Sequence, residues 1–280
     1  MGLGSSLASL ADGTLPATFE GLKSHIDEEW IRSALAKKGV ATVRRRKLPA
    51  DQVVWLAVGI ALYRDFPIPE VVNRLDLVLP DENGKRQGIT NGAIVEARNR
   101  VGAEPVEELF HMTGRHWALE SADNHRWRGL MVLGGDGTTM RVPDTGENRD
   151  AFELPPSSSS RKSSGYPQIR AVGLMVLRSH LLLDFAFAGC RTGELALAQP
   201  LIERVPDESV TILDRYFVNH LLWHKIRSGG AQRHWLVRAK SNTKWRVIKK
   251  LGRGDDLVEI EFSWDLRREH PELPERFQAR

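Results

Sequence analysis

The chain has 280 residues, 41% hydrophobic and 27% charged, a composition that excludes intrinsic disorder as the default and gives length for one large domain or two smaller ones. Forty Lys and Arg against 36 Asp and Glu leave a formal charge of only +4, so any strongly basic face must come from local clustering. Cys190 is the only cysteine, which excludes an internal disulfide and fits a reducing, cytoplasmic setting.

Residues 1–18 read as a tail, and the next hundred or so are helical in character. Asp27 or Ser24 can cap a first helix carrying Trp30, Ile31, Ala34 and Leu35 at helical spacing. The basic run Arg44-Arg45-Arg46-Lys47 follows, then Pro49 and an apolar helix over Val53 to Leu62 that Pro67 and Pro69 end. Glu70 to Leu77 is a short helix. Ile89-Thr90-Asn91 opens another, with Ile94, Ala97 and Val101 on one face and Arg98 and Arg100 nearby. Glu104 to Trp117 makes a further amphipathic helix, and the helical domain is placed at residues 19–127.

At about Gly129 the period changes. Leu130-Met131-Val132-Leu133 reads as a central strand ending at Gly134-Gly135-Asp136-Gly137, with a second strand over Thr138 to Val142. Asp144 to Gly165 is polar, with Pro155-Pro156 and four serines, and reads as a loop. Ile169 to Leu177 and Leu181 to Phe187 form a hairpin; the charges Arg178, His180 and Asp184 keep this apolar stretch from being a membrane span. Thr192 is placed to cap a helix that Pro200 shortens or kinks. Val210 to Leu213 is a strand ending at Asp214, and a helix runs from Phe217 to Ile226. A core at 128–232 results, followed by β-like segments at Trp235 to Ala239, Trp245 to Ile248 and Leu257 to Phe262 within residues 233–280. The fold class is α/β.

Asp136 and Asp214 each directly follow an apolar strand, where loops gather to form sites. If the strands are neighbours the carboxylates converge, and hard oxygen donors suit Mg²⁺ or Mn²⁺. Two such ions about 4 Å apart activate water and stabilise the leaving oxygen of a phosphodiester. The plainer alternative is that an Asp beside Gly137 forms a turn or caps a helix.

Gly135-Asp136-Gly137-Thr138 followed by Leu213-Asp214-Arg215-Tyr216-Phe217 resembles the first two catalytic motifs of DDE-type insertion-sequence transposases of the IS-four type. Ile89-Thr90-Asn91, Ala97 to Gly102 and the Glu104 to Phe110 helix resemble that family's N-terminal domain, so the likeness runs from about Phe19 onward. The resemblance implies a ribonuclease-H-like mixed-sheet core and cut-and-paste transposition. Asp136 and Asp214 are then catalytic ligands of Mg²⁺ or Mn²⁺, and the partners are terminal-repeat and target DNA, with pairing to itself or to a full-length transposase. Arg44, Arg45, Arg46, Lys47, Arg98 and Arg100 are candidate DNA contacts, each with a solvated-charge alternative, and Arg215 is another, with pairing to a neighbouring acid as its alternative. Lys240, Lys244 and Arg246 are further strand contacts of the same kind.

The family has a third acid, a Glu in a Tyr-x-x-Arg-x-x-x-Glu arrangement, and none follows Asp214. Tyr216 is the last tyrosine, and Glu269, Glu272 and Glu275 lie among prolines and charges. The expectation is a chain that stops inside a β-rich insertion and is inactive alone. The competing expectations are a DNA-binding regulator of full-length transposase and a two-carboxylate metal nuclease. Glu194 lies before the second Asp, where the helix dipole explains it equally well.

Overall fold

The computed structural model describes residues 20, 23, 25–40, 47–80, 83–85, 88–123, 125–155 and 165–280. The chain divides into two units, residues 1–113 and 114–280.

The first unit is helical. Asp27 caps α1 (Glu28–Lys37), its side chain accepting from the Glu29 amide at 2.8 Å. Acids in the first turn and Lys37 in the last complement the helix dipole. Ile31, Ala34 and Leu35 turn inward, while Trp30 is only half-buried. Helix α2 (Ala50–Leu62) starts after Pro49 and buries Val53, Val54, Trp55 and Leu56. A Cβ on Gly59 would stand 2.5 Å from Leu75 Cδ1, so glycine lets the chain just past α3 (Ile68–Arg74) press against α2. Thr90 caps α4 (Asn91–Val101), and Ile94, Ala97 and Val101 form its buried stripe. Helix α5 spans Glu104–Ala122, longer than the expected end at Trp117.

The second unit is built on a five-stranded mixed sheet of order β3-β2-β1-β4-β5. Strand β1 (Met131–Arg141) is antiparallel to β2 (Gln168–Val176), which is antiparallel to β3 (Leu182–Gly189). On its other side β1 runs parallel to β4 (Ser209–Leu213), itself parallel to β5 (Arg233–Val237). Helices α7 (Glu194–Glu203) and α8 (His220–Ser228) contribute Leu197, Leu201, Leu221, Trp223 and Ile226 to the core that includes Met131 and Leu133 of β1. A second, antiparallel sheet joins β6 (Arg246–Gly252), β7 (Asp255–Glu261) and β8 (Arg276–Ala279), with α9 (Trp264–Glu269) between the last two. Phe262 and Phe277 join it to the same core.

Several elements differ from their sequence-based expectation. Strand β1 does not end at Gly134-Gly135-Asp136-Gly137 but continues through it, because β2 supplies a ladder from Leu133 to Arg141. Neighbouring side chains fill the glycines: a Cβ on Gly134 would meet Leu177 at 2.5 Å, and one on Gly135 would meet Leu213 at 2.6 Å. Ladder bonds and packing outweigh the low strand propensity of glycine. The polar segment after Asp144 contains a short helix, α6 (Gly146–Phe152), capped by Thr145. Gly193, not Thr192, occupies the cap of α7, and Pro200 lies inside that helix on its exposed side. The expected helix at Phe217 begins instead as a single 3-10 turn, Arg215–Phe217, before α8. Strand β5 pairs with β4, so residues 233–237 extend the main sheet.

Candidate active site

The parallel register of β1 and β4 ends with Gly135 opposite Leu213, so the next residue on each strand is an aspartate, Asp136 and Asp214. Neighbouring strands lie about 5 Å apart, which puts the two side chains at adjacent positions on the sheet. By strand alternation both project from the face opposite Gly135 and Leu213.

Both carboxylates are exposed, and each has one oxygen held by a nearby backbone amide. Asp136 Oδ1 accepts from the Gly137 amide at 2.8 Å. Asp214 Oδ1 accepts from the Tyr216 amide at 2.8 Å and thereby caps the 3-10 turn. That turn is anchored from below: Phe217 is buried, and Trp223 Nε1 donates to the Phe217 carbonyl at 3.1 Å. The turn-former alternative is thus part of the answer for Asp214, because one of its oxygens caps the backbone. The donor set is all oxygen and anionic, which fits a hard divalent cation. Among the described residues, no group of three His, Cys, Asp or Glu side chains is drawn together as a metal cage.

Arg215 is exposed beside Asp214, in the aspartates' own unit. Arg44, Arg45 and Arg46 lie outside the described residues. Lys47 is exposed, and its carbonyl accepts from the Leu79 amide at 2.9 Å. Arg98 and Arg100 are exposed near the end of α4, and Arg100 donates to the Leu48 carbonyl at 2.9 Å. That bond gives Arg100 a structural task and brings the end of the basic run beside α4.

A groove of about 800 Å³ opens between the segment after Asp214 and the smaller sheet. It is lined by Asn219, Lys240, Lys244, Trp245 and Arg246 among others. Arg246 bonds Glu259 at 2.6 Å across β6 and β7. Sequence reading named the three cations without seeing that they share one concavity. It also did not foresee that the carboxylate of Glu194 lies against Gly137, within 2.8 Å of where a Cβ there would stand.

Residues 16–111 match the family model described as insertion element 4 transposase N-terminal, and residues 127–273 match the transposase DDE domain. The transposase InsG for insertion sequence element IS4 of Escherichia coli (strain K12) is 37% identical over 259 residues, 92% of this chain and 57% of that protein. The putative transposase InsZ of the same strain is 36% identical over 234 residues, 84% of this chain and 76% of that protein. The chain thus spans little more than half the length of InsG. Among solved structures, a piggyBac transposase synaptic complex with hairpin DNA aligns at a TM-score of 0.31 and 11% identity, covering 85% of this chain and 55% of that chain, too distant to carry the fold. Both family models fall on the two units in the order their elements require, and the chain belongs to the DDE transposases of the insertion-element-4 type.

Proposed function

We propose that the chain binds the ends of an insertion sequence and supplies Asp136 and Asp214 to a metal-dependent DNA-cutting site on a ribonuclease-H-like core. The observation that carries this reading is the register of β1 and β4, which sets the two aspartates side by side in a member of the family. Membership implies a divalent cation, and we take it to be Mg²⁺, with Mn²⁺ as a substitute. When bound, the ion makes a water nucleophilic near neutral pH and offsets charge on the leaving oxygen of a phosphodiester. Asp136 and Asp214 hold it through oxygen atoms that are not engaged with backbone amides. Neither acts as a nucleophile.

The DNA partner is read from the basic groups. Arg44, Arg45, Arg46 and Lys47, with Arg98 on the exposed side of α4, neutralise phosphates of the terminal repeats. Arg215 meets a phosphate beside the metal, and Lys240 and Lys244 lead a strand along the groove toward the smaller sheet, which we read as part of a β-rich insertion. The reaction takes place on chromosomal DNA in the cytoplasm, with the chain paired to a second copy or to a longer transposase. No helix among the described residues is long and apolar enough to cross a membrane.

Manganese binding tests the central claim, by electron paramagnetic resonance on the wild type, Asp136→Asn and Asp214→Asn. Each substitution is expected to weaken binding at least about tenfold, since each removes a charged ligand. Affinity unchanged in both variants would overturn the assignment.

A second reading rests on the lack of a gathered third acid among the described residues. A chain that grips terminal-repeat DNA without cutting it would restrain a complete transposase by occupying its sites. Nicking of terminal-repeat duplexes in Mg²⁺ tests this reading. We expect binding but no nicking by this 280-residue polypeptide, and nicking lost in Asp136→Asn would remove the regulator reading.

A further inference from the structure

Gly137 is the point at which the strand bearing Asp136 is touched by another acid. A Cβ at this position would stand 2.5 Å from Glu194 Cδ and 2.8 Å from Glu194 Oε2, closer than real side chains come. Only glycine leaves that space, and the Glu194 carboxylate fills it.

Glu194 opens α7, a helix whose cap residue, Gly193, makes no side-chain hydrogen bond. An acid in a first turn is favoured by the helix dipole. That favour does not require the side chain to lie on β1, because a carboxylate turned toward solvent meets the same amides at no steric cost to the strand.

The sheet gives this contact a direction. Strand β4 ends at Leu213, whereas β1 runs on to Arg141. Beyond Gly135 and Leu213 no strand among the described residues is paired with β1 on that side, which leaves the Asp136-Gly137 stretch at an unpaired edge. Alternation sends Asp136 to one face of β1 and Gly137 to the other. Asp136 and Asp214 come to that edge from the first face, and the Glu194 carboxylate comes to it over Gly137 from the second.

We propose that Glu194 is a positioning residue for the cation of this site, accepting a hydrogen bond from one of the ion's waters across Gly137. This rests on the assignment of Asp136 and Asp214 as the metal's direct ligands. It agrees with the absence of a ready-made three-acid cage among the described residues. Mg²⁺ releases its waters reluctantly and is commonly held by one or two carboxylates with several waters retained. An acid that grips such a water would help hold the ion in place without displacing a water from it. Outer partners of this kind are commonly worth ten- to a hundredfold in metal affinity.

The test is Mn²⁺ affinity of the full chain by isothermal titration, with thermal unfolding by circular dichroism alongside. Glu194→Gln is expected to weaken binding about tenfold while the unfolding midpoint stays near that of the wild type. Glu194→Asp retains the first-turn charge but shortens the reach, and is expected to lose affinity as well, which a dipole role would not produce. Gly137→Ala must displace the Glu194 carboxylate. It should weaken binding in the wild type and cause no further loss in Glu194→Gln, because both changes act on one interaction. If Glu194→Gln and Glu194→Asp bind Mn²⁺ as the wild type does while Asp136→Asn does not, the role of Glu194 is overturned and the aspartate pair stands. If Asp136→Asn also binds as the wild type does, both fall.

Discussion

The two sheets of the second unit are made of similar chain and are held in different ways. Strand β4 alternates buried and half-buried residues along its whole length, and β1 does so over its first half. Strand β6 is exposed at every position, including Val247, Ile248 and Leu251. The main sheet is fixed by a core on one face and by ladders on both sides of β1. The smaller sheet is joined to that core chiefly through its base, where Phe262 stacks on Phe277 at 5.1 Å and both meet His224. Rigid backbone thus carries the carboxylates, while the smaller sheet leaves one strand exposed along its whole length.

Substitutions can break this contrast. The largest effect is expected from Trp223→Ala. Trp223 is 2% exposed, stacks on Trp235 at 4.4 Å and bonds the carbonyl that supports the Asp214 turn. A loss of about 3–5 kcal/mol is expected for a buried tryptophan, measured by urea denaturation, together with weakened Mn²⁺ binding. A variant that kept full stability would mean the main sheet does not depend on this anchor.

Acid should act next, and on the smaller sheet first. Burial holds the imidazoles of His220 and His224 below the usual histidine range, with the Arg227 charge adding to the effect at His224 and Glu272 opposing it. The unfolded chain takes up protons near pH 6.5, before these folded-state imidazoles do. Their stabilising contribution is therefore present above that pH and is lost as pH falls through it toward the depressed folded values. Both rings pack against Phe277. Hydrogen exchange compared at pH 7.5 and 5.5, corrected for intrinsic rates, is expected to show β8 opening before β1, and equal protection of the two would refute the ordering. The smallest effect is expected from Ile248→Ser on β6, within about 0.5 kcal/mol as for other exposed positions. A larger loss in thermal unfolding would mean that β6 is covered in solution.

Much of this architecture was legible in the residues. The 3.6-residue spacing of Ile31, Ala34 and Leu35 and the Thr90 cap mark helices by local rules, and the apolar runs before Asp136 and Asp214 mark the two strands that lead to them. What escaped was non-local. Gly134 to Gly137 has the composition of a turn, and only the ladder from β2 makes it strand. Strand β5 belongs to the main sheet through pairing with β4, which its own sequence does not encode. The seat of Glu194 depends on an atom that Gly137 lacks, a signal that appears only when two distant segments are superimposed.

The continuity of β1 has a consequence for the entropy of ion capture at the proposed site. Asp136 sits mid-strand, paired across to Gly173 and followed by five more residues of ladder, so its backbone is ordered in advance and binding an ion there would cost little further entropy. Asp214 lies outside the ladder, and its backbone is ordered instead by the 3-10 turn that Phe217 and Trp223 anchor. The two proposed ligands are thus set in advance by unlike devices, a strand ladder and a buried turn.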